Sequence, residues 1–158
     1  MNDNQCFVKI SGKLNRRYPS GLRTNNTSLN TRIFYSFKES LEMKQSESTF
    51  HIAANELPIL KCDLPNGNRF LMTTKSMYSV YNGKTYLLNY IDYQKTKSKS
   101  YKNTGEIVDG KTHHFVYLSH DQEEFYYEID SFYPTDAAHN VILHEMTVRN
   151  PEWSRYRK

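Results

Sequence analysis

Apolar side chains recur at helical spacing in two parts of this chain. A stripe with a spacing of four residues predicts an amphipathic helix over residues 29–44. Its members are Leu29, Ile33, Phe37 and Leu41. A second stripe predicts a helix over residues 135–149, which ends before Pro151 because the residue ahead of a proline disfavours helical angles. Residues 1–28 are mostly polar and are predicted to be mostly loop.

Between the two helices the pattern changes to short runs of β-branched and aromatic residues separated by turn signals. These runs predict about seven strands, over residues 57–63, 68–74, 76–81, 84–91, 93–102, 111–118 and 123–130. In the clearest hairpin, Asn82 and Gly83 accept the positive φ of a two-residue turn, so Tyr81 should face Lys84. The last strand places three apolar residues on one face, namely Phe125, Tyr127 and Ile129.

The order helix, seven strands, helix predicts an α+β fold with a single domain over residues 29–148. The strands would form a mostly antiparallel barrel or sandwich. The C-terminal helix would cap one end, and helix 29–44 would be an added layer. An N-terminal extension over 1–28 and a basic, aromatic tail over 149–158 flank the predicted domain.

The segment RFLMTTKSMYSVY, Arg69–Tyr81, is followed by Tyr90-Ile91-Asp92-Tyr93. This part of the chain resembles bacterial pleckstrin-homology-like (PH-like) domains, which often show a strand, a Thr-Thr-Lys/Arg turn, a strand and an isoleucine-acid step. By order of elements the resemblance covers about residues 57–148. It implies a β-barrel closed by a C-terminal helix, and a binding scaffold rather than an enzyme.

Composition narrows the class of protein without identifying it. The formal net charge of +4 and the pI near 8.9 are mild for a dedicated nucleic-acid-binding protein. Because no apolar run is long enough for a membrane helix and the first residues do not read as a signal peptide, we expect a cytoplasmic protein. Cys6 and Cys62 are predicted to be buried free thiols, with a disulfide or a metal site as the alternatives.

Charged and aromatic residues are concentrated in a few segments. One candidate anion-binding segment is a lysine run that includes a tyrosine: Lys95, Lys97, Lys99, Tyr101 and Lys102. The alternatives are a solvated edge strand and cross-strand pairing with the acidic segment 121–130. The tail adds residues that could stack on bases or dock on a partner, namely Trp153, Arg155 and Arg157; the alternative is a frayed terminus.

Tyrosines cluster in the predicted β region, where packing accounts for most of them and an interface for some. They are Tyr78, Tyr81, Tyr86, Tyr90, Tyr93, Tyr101, Tyr117, Tyr126, Tyr127 and Tyr133.

The sequence contains no recognised catalytic or metal-binding motif. His113 and His114 are adjacent and should point to opposite faces of a strand, so they cannot chelate one ion together. Glu124 and Glu128 share a face of the last strand, and we predict that this face is exposed to solvent. We therefore predict no catalytic residue, no metal and no cofactor.

These observations favour a non-catalytic protein-interaction module of a bacterial cytoplasm. A specific version is a small inhibitor or immunity-type protein that masks a partner protein. The alternative is an anion-binding module that uses the lysine run to bind phospholipid or nucleic acid. A small hydrolase, in which Cys62 or an acid meets a histidine, is the third hypothesis.

Overall fold

The computed structural model describes residues 2–19, 30–97, 106–108, 112–131 and 133–149. These residues form three α-helices, α1 Asp3–Arg17, α2 Phe37–Ser46 and α3 Tyr133–Arg149. They also form nine strands: β1 Thr31–Ile33, β2 Pro58–Asp63, β3 Arg69–Thr73, β4 Ser76–Tyr81, β5 Lys84–Asn89, β6 Tyr93–Thr96, β7 Glu106–Val108, β8 Thr112–Ser119 and β9 Glu124–Asp130. A single 3₁₀ turn, Tyr90–Asp92, joins β5 to β6.

The strands belong to two antiparallel sheets. The first sheet has the order β1-β2-β3-β4-β5. In the second sheet β8 is central, with β9 along one edge and β6 and β7 along the two halves of the other edge. The prediction of an α+β fold with mostly antiparallel strands and a C-terminal helix is confirmed.

The first sheet separates two apolar clusters. On one face, α2 covers a small cluster of buried residues, namely Phe34, Met43, Phe50, Leu71 and Tyr78. The other face packs against the second sheet, α1 and α3, and together they form the main core. Phe70 of β3 and Tyr127 of β9 stack across this core with ring centroids 4.0 Å apart.

Of the two predicted arrangements, a barrel or a sandwich of about seven strands, the barrel is wrong, and the described residues form nine strands in two sheets. The aromatic side chains of β9 pack against the face of the first sheet, so the two sheets lie against each other instead of joining edge to edge. Between β4 and β9 the two sheets are joined by a side-chain hydrogen bond instead of a backbone ladder: the Ser79 hydroxyl donates to the Tyr126 carbonyl at 2.5 Å. The architecture is therefore sandwich-like.

The β4–β5 hairpin has the predicted register. Tyr81 faces Lys84 across the turn, and pairing continues without a shift to Ser76 and Asn89. Asn82 and Gly83 have φ values of 50° and 80°, as the two-residue turn requires. The turn therefore fixes which side chains of β4 and β5 lie opposite each other.

The prediction that residues 1–28 are mostly loop is wrong for residues 3–17, which form α1. Phe7, Ile10 and Leu14 lie on one face of α1 and are 1–2% exposed, so the helix belongs to the main core. A capping box starts it: the Gln5 amide donates to Asn2 Oδ1 at 2.8 Å, and the Asn2 amide donates to Gln5 Oε1 at 3.1 Å.

The predicted helix over 29–44 is also wrong in its first half. Residues 31–33 form β1, because Asn30 and Thr31 bind the buried Asp130 carboxylate, which holds this segment beside β2. The helix begins only after Ser36, whose Oγ accepts a hydrogen bond from the backbone of Glu39 at 3.2 Å. The spacing of four residues thus arose from a strand followed by a helix.

No helix of the described residues is both long enough and apolar enough to cross a membrane. Cys6 and Cys62 are both buried thiols and are not joined in a disulfide, as predicted.

Two glycine substitutions should change stability in opposite directions. Gly83→Ala should lower the free energy of unfolding by about 1–2 kcal/mol, because an alanine is strained at a φ of 80°. Gly12→Ala should raise it by roughly 0.4–1 kcal/mol, because a Cβ there meets only Arg16 Nη1 at an ordinary 3.6 Å and restricts the unfolded chain. Urea unfolding of the two variants tests this, and a loss of stability in Gly12→Ala would contradict the placement of α1.

Candidate functional site

A groove of about 870 Å³ lies between the β4–β5 hairpin and the start of β9. We call it the tyrosine groove, and its defining residues are Tyr81, Lys84, Tyr86, Leu88, Glu124 and Tyr126. These residues lie together because side chains alternate between the two faces of a strand. Tyr81 and Tyr86 project from the hairpin face that meets β9, while Tyr126 projects from β9 between the inward-facing Phe125 and Tyr127.

The three tyrosines hold one another in place. The Tyr126 ring stacks on Tyr81 at a centroid distance of 5.6 Å and lies 5.4 Å from Tyr86. Lys84 Nζ lies 5.2 Å from the Tyr86 ring centroid, which is within the range of a cation–π contact. All three rings are partly exposed, so they present a pre-assembled aromatic surface to solvent.

Glu124 forms the acidic rim of this groove. Its carboxylate is paired with Lys97 Nζ and accepts a hydrogen bond from the Tyr126 hydroxyl. The Lys97 hydrogen bond, followed by that from Tyr126, lowers the pKa of Glu124. The same carboxylate raises the pKa of Tyr126, so this phenol stays protonated at neutral pH. The rim of the groove therefore carries both a cation, Lys84, and an anion, Glu124.

Next to the tyrosine groove, Glu128 is a buried carboxylate that is only 3% exposed. Its oxygens accept hydrogen bonds from Asn66 Nδ2 at 2.9 Å, Asn68 Nδ2 at 2.7 Å and Thr112 Oγ1 at 2.6 Å. Burial alone would raise the pKa of Glu128, but the hydrogen bonds and the nearby His114 outweigh it and lower the pKa. The prediction that this residue faces solvent is therefore wrong.

His114 links this buried carboxylate to the groove. Its Nε2 lies 3.3 Å from Glu128 Oε2, a contact that becomes an ion pair when the imidazole is protonated. Its Nδ1 is 2.6 Å from the Tyr81 hydroxyl. A carboxylate, an imidazole and a hydroxyl follow one another here, as in hydrolase triads. However, the Glu128 contact lacks hydrogen-bond geometry and the hydroxyl is a phenol. The arrangement is therefore suited to fixing the Tyr81 ring.

The structure describes only part of the binding set predicted from the sequence. Lys95 and Lys97 lie on β6 or just after it and are exposed, and Lys97 is paired with Glu124, as the alternative of cross-strand pairing predicted. The remaining members lie outside the described residues: Lys99, Tyr101, Lys102, Trp153, Arg155 and Arg157.

The candidate residues for catalysis and metal binding stay separate. Among the described residues, no three potential metal ligands cluster. His113 and His114 face opposite sides of β8, as predicted: His113 contacts Phe115, whereas His114 contacts Tyr81. Burial, followed by the Asp130 charge, raises the pKa of the Cys62 thiol to about 12, so it is a poor nucleophile at neutral pH.

No local pattern in the sequence indicates the Glu128–His114–Tyr81 connection, because its members come from three strands and bring in loop residues 66 and 68. The sequence predicts the tyrosines only as a cluster within the β region. Their convergence depends on β9 packing against the hairpin, which no spacing in the sequence encodes.

Glu128 should contribute stability that depends on pH. Because its pKa lies below the ordinary 4.5 in the folded protein, the contribution is complete above that pH and is lost as the pH falls through the folded-state pKa. At pH 7, Glu128→Gln should lower the free energy of unfolding by about 1–3 kcal/mol, since two amide donors lose a charged acceptor. Urea unfolding between pH 3 and 7 should show this difference shrinking below pH 4.5.

The matched control is Glu123→Gln, at an exposed position directly before β9. It should change stability by less than about 0.5 kcal/mol. A constant difference between wild type and Glu128→Gln across the pH range would show that the charge of Glu128 is not responsible.

Comparisons with protein-family models, with curated proteins and with solved structures each found no match to this chain. The resemblance to PH-like domains therefore stays a prediction, and the tyrosine groove is the feature of the described residues on which a candidate function rests.

Proposed function

We propose that this protein is a non-catalytic protein-interaction module and that the tyrosine groove is its contact surface. The observation that carries the proposal is the fixed cluster of three partly exposed tyrosines with Lys84 and Glu124 at its rim. Tyrosine is enriched at protein interfaces because its ring adds a large contact area at a low cost in side-chain entropy.

Pre-organisation strengthens this argument. Each immobilised side chain costs roughly 0.5–1.5 kcal/mol when a partner has to order it. In this groove the hydroxyl of Tyr81 is bound to His114 and that of Tyr126 to Glu124 before any partner arrives. Much of that ordering cost is therefore met during folding.

The edge of β5 indicates the form of the partner. Within the described residues β5 pairs only with β4, so its outer edge is open. The hairpin register directs the backbone groups of Thr85 and Leu87 outward, because they alternate with the residues that hydrogen-bond to β4. Leu87 is 58% exposed, as is Ile91 just beyond the strand. An extended segment of a partner protein would pair with this edge and place alternate side chains in the tyrosine groove.

An inhibitor or immunity-type role is a specific form of this proposal. It adds that the bound protein loses its own activity because the contact masks its functional surface. The alternative of an anion-binding module based on the lysine run stays a prediction. Its test is binding to anionic vesicles or nucleic acid that weakens steeply with salt.

The groove can be tested with a double variant, Tyr86→Ala/Tyr126→Ala. If these rings are central contacts, retention of a partner protein from native lysate should fall by at least tenfold, since each buried aromatic anchor is worth about 2 kcal/mol or more. The readout is a pull-down at two salt concentrations with nuclease treatment. Tyr133→Ala is the matched control, because Tyr133 is 49% exposed and lies on α3. Equal retention by the double variant would overturn the proposal.

Strand pairing has its own test in Thr85→Pro. Proline removes the outward N–H of an edge strand without breaking the β4–β5 ladder, so the variant should stay folded and bind the captured partner at least tenfold more weakly. Thr85→Val keeps the N–H and should bind like the wild type. Affinities are measured by calorimetry after circular dichroism has confirmed the fold. Unchanged binding by Thr85→Pro would exclude strand pairing at this edge.

A further inference from the structure

Helix α1 carries a strongly basic exposed face that the tyrosine groove does not involve. Four of its fifteen residues are basic and one, Asp3, is acidic. Lys9, Lys13 and Arg16 are spaced by four and three residues, so they lie on one side of the helix, and all three are exposed. The mild net charge of the whole chain conceals this local concentration.

A cavity of about 330 Å³ lies beside this basic face, between α1 and α3. Its basic wall comes from Lys13, Arg16 and Arg17 of α1, and its opposite wall from Asn140 and His144 of α3. The floor is apolar and is formed by Ile10, Leu14 and Val141. The lining therefore combines cationic groups with aliphatic side chains.

The charges of this cavity are unevenly compensated. Arg17 Nε lies 3.1 Å from Asp136 Oδ2, and the same nitrogen donates to the Tyr18 hydroxyl at 3.2 Å. Within the described ranges, neither Lys13 nor Arg16 has an acidic partner. An anion in the cavity would thus be attracted to Lys13 and Arg16. The carboxylates of α3 nearby are not among the lining residues: Asp136 is paired with Arg17, and the buried Glu145 accepts a hydrogen bond from Cys6 Sγ.

Helix stability accounts for only part of this pattern. Basic residues in the last turn interact favourably with the helix dipole, which explains Arg16 and Arg17. That effect fades within one turn, so it explains neither Lys13 nor an apolar hollow beside it. Cations without an acidic partner among the described residues, next to an aliphatic floor, suit a ligand that is charged at one end only.

We infer that the cavity between α1 and α3 binds a small amphiphilic anion. Its carboxylate or phosphate monoester would lie against Lys13 and Arg16, and its hydrocarbon body would lie on Ile10, Leu14 and Val141. The volume is at the low end of the roughly 300–1,000 Å³ typical of ligand sites, so a single short chain fits better than a two-chain lipid. This inference is independent of the proposed partner-binding function.

The test uses the full chain and four soluble probes below their micellar concentrations. Octanoate and octyl phosphate carry the required head and body, octyltrimethylammonium reverses the head charge, and inorganic phosphate lacks the body. In amide NMR titrations the two anionic amphiphiles should shift residues of α1 and α3 around the cavity. The other two probes should bind at least tenfold more weakly. Equal binding of the cationic probe, or shifts confined to other surfaces, would overturn the inference.

Charge variants distinguish binding in the cavity from general electrostatic attraction to a basic protein. Lys13→Gln/Arg16→Gln should weaken octyl phosphate binding at least tenfold. Lys38→Gln/Lys75→Gln removes the same charge from two exposed positions elsewhere and should leave binding within twofold. Equal losses in the two variants would overturn the inference. Binding to vesicles with anionic phospholipid, without binding of the soluble probes, would also overturn it and indicate a membrane surface.

Discussion

The two sheets are held together by a stack of aromatic rings in which Tyr127 contacts both Phe70 and Phe115. The Tyr127 ring lies 4.0 Å from Phe70 and 5.1 Å from Phe115, and all three side chains are at most 1% exposed. Because side chains alternate along a strand, an inward Tyr127 forces Tyr126 and Glu128 onto the opposite face of β9. The tyrosine groove and the buried carboxylate beside it both follow from this one packing contact. A register shift of one residue would remove them together.

Elements defined by local signals could be predicted from the sequence, whereas the candidate site could not. The β4–β5 register follows from Asn82-Gly83 alone, and the inward face of β9 follows from simple alternation. The burial of Glu128 depends instead on donors that are 16 to 62 residues away along the chain. The prediction of a helix over 29–44 is wrong in its first half for the same reason, since Asp130 holds residues 30 and 31 in place from about 100 positions away.

Helix α1 shows a different limit. Its capping box and its apolar spacing are both present in the sequence, so the information was local. The segment is nevertheless as polar as a loop, because a helix that buries only one narrow face needs few apolar residues. Most of the surface of α1 can therefore carry charged side chains, so the basic face and the contact with the core occur on the same helix.

The two edges of the first sheet differ, and the difference limits what can assemble on it. At one edge β1 is only three residues long, and the backbone amide of Asn30 beside it is bound to Asp130. At the other edge β5 is six residues long and contains no proline. Exposed apolar side chains lie within it, at Leu87, and just beyond it, at Ile91. A fibre that grows by edge pairing needs a matching strand on both sides of each subunit. This sheet can be extended efficiently in one direction only, so an assembly built on it would end after a single addition and have a defined stoichiometry.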